Sequence, residues 1–103
     1  MMNIITPKEV HQLAVEKGWY DNTTKREIPE LLCLIHSEIS EALEGFRHDI
    51  PPGEKGCLGE ELADAVIRIW DMCEYLNIDI EKEVNKKHEI NKSREYRHGN
   101  KKC

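Results

Sequence analysis

The stretch 28–47, IPELLCLIHSEISEALEGFR, decides the fold. Its apolar residues Leu31, Leu32, Ile35, Ile39, Ala42, Leu43 and Phe46 recur at steps of three and four, the period of a long amphipathic helix rather than a strand. Pro29 is compatible with the first turn, where its missing N–H has no helical partner to lose. The segment Asp49 to Gly56 carries two prolines and two glycines, so the helix must stop there and a loop must follow.

The same period extends in both directions from this helix. Downstream, Leu62, Ala65, Val66, Ile69, Met72, Cys73 and Leu76 predict a helix over roughly 58–76, with Asn77 closing it. Asp79 then caps a fourth helix through about Asn91, whose apolar face begins with Ile80 and Val84 and gives way to Lys87, His88 and Asn91. Upstream, Thr6-Pro7-Lys8-Glu9 has the form of a capping box with proline in the first turn, and Val10, Leu13 and Ala14 stripe a helix that ends near Lys17 at Gly18. Trp19 and Tyr20 follow as exposed or interfacial aromatics before a polar loop. No strand alternation, repeat or low-complexity tract competes. The expected class is all-α, an antiparallel four-helix bundle in one domain spanning 1–103, with a basic tail from about residue 95.

With 39% hydrophobic and 34% charged residues, the chain can build one core but leaves second apolar helix faces that self-association would bury. No run approaches the roughly 20 apolar residues of a membrane helix, and Met1 to Ile5 lacks a basic region followed by an apolar one, which predicts a soluble, cytoplasmic protein. Cys33, Cys57, Cys73 and Cys103 form no CxxC pair. They read as reduced thiols, three of them in or near the core, and not as a zinc site. The net charge of −5 is uneven: residues 82–103 hold eight Lys or Arg against three Glu, a net +5, leaving −10 on the rest. A basic segment beside an acidic body suits a small, highly charged anion carried with metal, although a solvated basic helix end that favours the helix dipole explains the same composition. The acidic body and the absence of a recognition motif argue against nucleic acid as partner.

Four acids stand out. Glu38 and Glu41 are three residues apart on the second helix, Glu61 and Asp64 on the third, and residues at i and i+3 share a helical face. Ile35, Ile39 and Ala42 flank the first pair and Leu62, Ala65 and Val66 the second, which puts both at the seam between helices. A single such pair in a chain with twenty acidic residues usually marks a solvated face. Two pairs at one seam would repel unless a cation compensates them, and an all-oxygen donor set favours Mg²⁺ or Mn²⁺ over Zn²⁺. A di-iron carboxylate bundle wants two Glu-x-x-His motifs, and only Glu95 to His98 in the tail has that form.

Glu38-Ile39-Ser40-Glu41, followed after the Gly/Pro loop by Glu60-Glu61-Leu62-Ala63-Asp64, resembles the ExxE and ExxD motif pair of the MazG-like all-α nucleoside triphosphate pyrophosphohydrolases. The ending Asn91 to Gly99 is similar to the tail of small members. The resemblance implies Mg²⁺ held by Glu38, Glu41, Glu61 and Asp64, hydrolysis of a nucleoside triphosphate between its α and β phosphates, and a homodimer or homotetramer. Lys87, Asn91, Arg94 and Arg97 are candidates for the phosphates; the first three follow i, i+4, i+7 spacing. Arg68, one turn after Asp64, is placed either to orient that carboxylate or to reach a phosphate, and Trp19 either to stack on a base or to anchor an interface. One departure stands out: many relatives carry a second Glu before the first motif, where this chain has Ser37. That leaves Glu38, Glu41 or Glu60 as the base that activates water, or else a weaker catalyst or a non-catalytic metal- or nucleotide-binding module.

Overall fold

Thr6 sets the start of the first helix. Its hydroxyl accepts the Glu9 backbone N–H at 3.2 Å while the Glu9 carboxylate reaches back to the Thr6 N–H at 3.3 Å, so two otherwise orphaned donors are satisfied reciprocally. In the computed structural model, which describes residues 4–21 and 25–94, four helices follow in order: α1 Pro7–Glu16, α2 Ile28–Arg47, α3 Leu58–Tyr75 and α4 Ile80–Lys92. No strand occurs among the described residues. The expected boundaries hold to within one or two residues, including the Asp79 cap, whose carboxylate accepts the Lys82 N–H at 3.1 Å.

The first three helices end alike. After each, one residue takes a left-handed conformation, and the next two N–H groups fold back onto the last turn: Gly18 to Val15 and Trp19 to Ala14, Asp49 to Phe46 and Ile50 to Gly45, Asn77 to Glu74 and Ile78 to Cys73. Only the first of these uses glycine. Asp49 at φ 52° and Asn77 at φ 59° adopt the conformation with a side chain in place, which short polar residues tolerate best.

α3 is the central element, packing against both α1 and α2. The loop leading into α3 lies tight against α2 at Gly45, where a Cβ would collide with the Gly56 carbonyl and press on Cys57 and Leu58. Farther along α3, Arg68 meets Glu38, seven residues back along α2. The buried hydrophobic side chains among the described residues are Val10, Leu31, Ala42, Cys57, Ala65 and Cys73. Burial pushes the Cys73 thiol above its ordinary range, which makes it unreactive. Cys33, expected near the core, is exposed instead, because it lies on α2 away from the Leu31, Glu38, Ala42 and Gly45 face that meets α3.

The apolar stripe of α2 is wider than one neighbour covers. Leu31 and Ala42 are buried, but Leu32, Ile39, Leu43 and Phe46 remain exposed, Phe46 to 65%, alongside Leu62 and Val66 of α3. No residue of α4 is buried, and its packing on the other helices is marginal. No helix among the described residues is long and apolar enough to cross a membrane.

Candidate metal centre

The seam between α2 and α3 brings together three of the four expected acids. Ligand oxygens of Glu38, Glu61 and Asp64 lie within 4.8 Å of one another. Glu38 and Glu61 are each only 8% exposed, and Asp64 is half-buried. Their placement follows from the helix period: Glu38 shares its face with Leu31 and Ala42, and Glu61 with Ala65, so the turns that build the core also carry the acids inward. Glu41, one turn on from Glu38, is exposed, and its carboxyl group stands against that of Glu61.

The cluster is electrostatically unresolved. Burial first, then the hydrogen bond and charge of Glu41, then the charges of Asp64 and Glu38, push the Glu61 carboxyl up to about 7. Asp64 is raised as well, by burial and by the charges of Glu38, Glu60 and Glu41, against the opposing pull of Arg68. The first turn of α3 carries Glu60 and Glu61, where the positive end of the helix favours carboxylates. That help does not cancel the crowding. Glu61 Oε2 is buried with no hydrogen-bond partner, an expensive state for a polar atom. A hard divalent cation among these oxygens would satisfy the orphaned atom and neutralise the crowding at once, so the donor set fits the metal that the motifs imply.

Other side chains at the seam bond within the protein. Arg68 reaches across to α2 and donates from Nε to Glu38 Oε1 at 2.8 Å, rather than pairing along its own helix with Asp64. Glu60 turns back to accept the Gly56 N–H at 3.4 Å, tying down the loop before α3. Ser37, on the exposed side of α2, donates its hydroxyl to the Leu34 carbonyl at 2.6 Å. Of the groups considered as base, Glu41 is thus the exposed carboxyl beside the cluster.

A cleft of about 590 Å³ opens from the site between α1, α2 and α3. Glu38, Asp64 and Arg68 line it together with Val10, Leu13, Leu31, Leu34 and Ile67, and Trp19, Lys17 and Arg26 also form part of its wall. Trp19 is 59% exposed. Lys87, Asn91 and Arg94 lie exposed on and just after α4 and do not line this cleft. Arg97, Cys103 and the Glu95 to His98 motif are outside the described residues.

Spacing gave no sign of a second cluster. Asp71 accepts from Tyr20 through Oδ2 at 2.7 Å and pairs through Oδ1 with His11 Nδ1 at 2.7 Å. Tyr20 stacks on Tyr75 with centroids 5.0 Å apart, and the Tyr75 hydroxyl accepts the Arg26 backbone N–H at 2.9 Å. Burial and the Asp71 carboxylate push the Tyr20 phenol well above its ordinary range. The network locks α1 and the turn after it onto α3. Tyr20, expected to be exposed or interfacial, is half-buried where the turn after α1 meets α3, and Arg26, which bonds the Trp19 carbonyl at 3.1 Å, helps shape the cleft. Hydrogen-bonded partners in this network are separated by as many as sixty residues, and its members share no motif. A scan against family models, a search of curated proteins and a search of solved structures each return no match for this chain.

Proposed function

We propose that the chain is a Mg²⁺-dependent nucleoside triphosphate pyrophosphohydrolase of the MazG-like kind, releasing a monophosphate and pyrophosphate in cytoplasmic nucleotide-pool housekeeping. The observation that carries this reading is the convergence of Glu38, Glu61 and Asp64 around an orphaned, buried carboxylate oxygen at the mouth of a largely apolar cleft. A divalent cation supplies charge neutralisation for the phosphates and a Lewis acid for the bond that breaks. The protein's own part is positional. Glu38, Glu61 and Asp64 fix the donor oxygens from two packed helices, and exposed Glu41 takes the proton of the attacking water. The cleft beside them offers apolar walls and the Trp19 indole to a nucleobase.

The reading extends to assembly. The exposed stripe Leu32, Ile39, Leu43 and Phe46 suits burial against a second copy in a homodimer or homotetramer, which completes an antiparallel bundle. Covering the roughly half of each side chain that is still exposed contributes about 1 kcal/mol apiece, about half of the value for burying one completely. In the assembled state α4 presents Lys87 and Asn91, and Arg94 just after it, to the phosphates, with Arg97 a further candidate by sequence alone. With Ser37 tied to the Leu34 carbonyl, the non-catalytic alternative, a metal- or nucleotide-binding module, keeps one specific argument.

The test is pyrophosphate release from a panel of normal and modified nucleotides in Mg²⁺ and in Mn²⁺, for wild type beside Glu41→Gln and Asp64→Asn. Release by wild type and its loss in both variants supports the enzyme. Nucleotide binding without release from any member of the panel supports the module, and equal activity in all three proteins contradicts the site.

A further inference from the structure

We propose that Arg68 is an exchangeable counter-ion, holding Glu38 in the metal-free protein and passing to the anion that arrives with the metal. The proposal rests on the metal reading above. Arg68 Nε donates to Glu38 Oε1 at 2.8 Å, with the two side chains 32% and 11% exposed. Glu38 is also one of the three acids whose oxygens converge. The same carboxylate thus serves two cations, the guanidinium and the metal.

Asp64 lines the same cleft as Arg68 and Glu38, and the Arg68 charge opposes the rise in the Asp64 carboxyl. In the metal-free protein this guanidinium offsets part of the crowding among Glu38, Glu61 and Asp64. A divalent cation held by Glu38, Glu61 and Asp64 would take over that role, and two cations sharing one small carboxylate set repel each other. The Arg68–Glu38 bond must therefore lengthen or break as metal enters. The released guanidinium stays anchored on α3 at the cleft, where its fork of donors suits a phosphate oxygen pair. Arg68 is an anion-binding residue in this scheme. It opposes the metal and favours the anion, so its removal should move the two affinities in opposite directions.

The experiment uses the full chain, with Mn²⁺ alone and then inorganic pyrophosphate as probes. Free Mn²⁺ is followed by its paramagnetic resonance signal and the thermal midpoint is read in chelator and in Mn²⁺. Arg68→Met should bind Mn²⁺ about tenfold tighter, within the 5–150-fold span of ordinary site couplings. Its midpoint should fall in chelator and recover in Mn²⁺, and its pyrophosphate affinity at saturating Mn²⁺ should drop about tenfold. Arg68→Lys, which keeps the charge without the fork, should fall between and carries the test if Arg68→Met does not fold without metal. A wild type that binds Mn²⁺ with variants that bind it no tighter, or that keep full pyrophosphate affinity, overturns the role of Arg68 alone. A wild type that binds no Mn²⁺ overturns both this role and the metal reading.

Discussion

α3 carries two inward carboxylate sites with opposite fates. At Asp71 both oxygens are satisfied, by His11 and by Tyr20, each at 2.7 Å. At Glu61, nearer the start of the same helix, one oxygen is buried without a partner and the neighbours are other acids. A half-buried carboxylate with ring and hydroxyl partners and aromatic walls is a fastener. A buried carboxylate among carboxylates is unstable as it stands and calls for a ligand. The comparison separates the structural acid from the candidate ligand without reference to motif.

The sharpest way to break this contrast is to neutralise each side. Glu61→Gln and Asp64→Asn should lower nucleotide hydrolysis by at least the roughly 100-fold that loss of an outer partner of a metal ligand can cost, while raising metal-free stability by relieving repulsion. Asp71→Asn should do the reverse, costing about 1.5–3 kcal/mol in denaturant unfolding and leaving Mn²⁺ affinity in place. If Asp71→Asn abolished metal binding while Glu61→Gln left it unchanged, the two assignments would be exchanged.

A second, smaller effect lies in the pH dependence. The folded Glu61 carboxyl titrates at about 7 against an ordinary 4.5, so between those values the native state holds a proton that the unfolded state has released. Stability from this group is complete below the ordinary value and is lost as pH rises through the folded one. Asp64 shifts in the same direction. Thermal midpoints in chelator should therefore decline between about pH 4.5 and 7. Mg²⁺ should flatten the decline, as should Glu61→Gln, whereas Asp71→Asn should leave it. A midpoint that rises steadily over this window in chelator would contradict the crowding.

Milder substitutions probe the fastener's parts. Tyr20→Phe deletes one of the two bonds to Asp71 and should cost about 1 kcal/mol with metal affinity unchanged, as measured by urea unfolding and calorimetry. The least effect is expected from Ser37→Ala, whose hydroxyl serves only the Leu34 carbonyl among the described contacts. Hydrolysis and Mn²⁺ affinity should both stay within about twofold of wild type, below 0.5 kcal/mol.

Much of this architecture could be read from local pattern. Thr6, Asp79, Gly18 and the Gly/Pro loop mark helix ends because capping is settled within a few residues, and the i, i+3 acids reach the seam because the helical period that places Ala42 and Ala65 inside places Glu38 and Glu61 there too. What escaped the sequence depends on geometry between elements. Arg68 is as close in sequence to Asp64 as a salt bridge needs, yet it reaches Glu38 on the facing helix. Gly45 resembles a weak point in a helix until the Gly56 carbonyl is seen against it. His11 and Asp71 have no spacing to advertise their pairing, the exposure of Phe46 depends on how much of a wide apolar stripe one neighbour covers, and that of Cys33 on which face of α2 meets α3.

The central claim is that Glu38, Glu61 and Asp64 form a metal centre, and calorimetric titration of the chelator-treated protein with Mn²⁺ at pH 7, in two buffers of different ionisation enthalpy, tests it most directly. Saturable binding with proton release, lost in Glu61→Gln and retained in Asp71→Asn, is the predicted result. No saturable binding by wild type, or equal binding and proton release in Glu61→Gln, would contradict it.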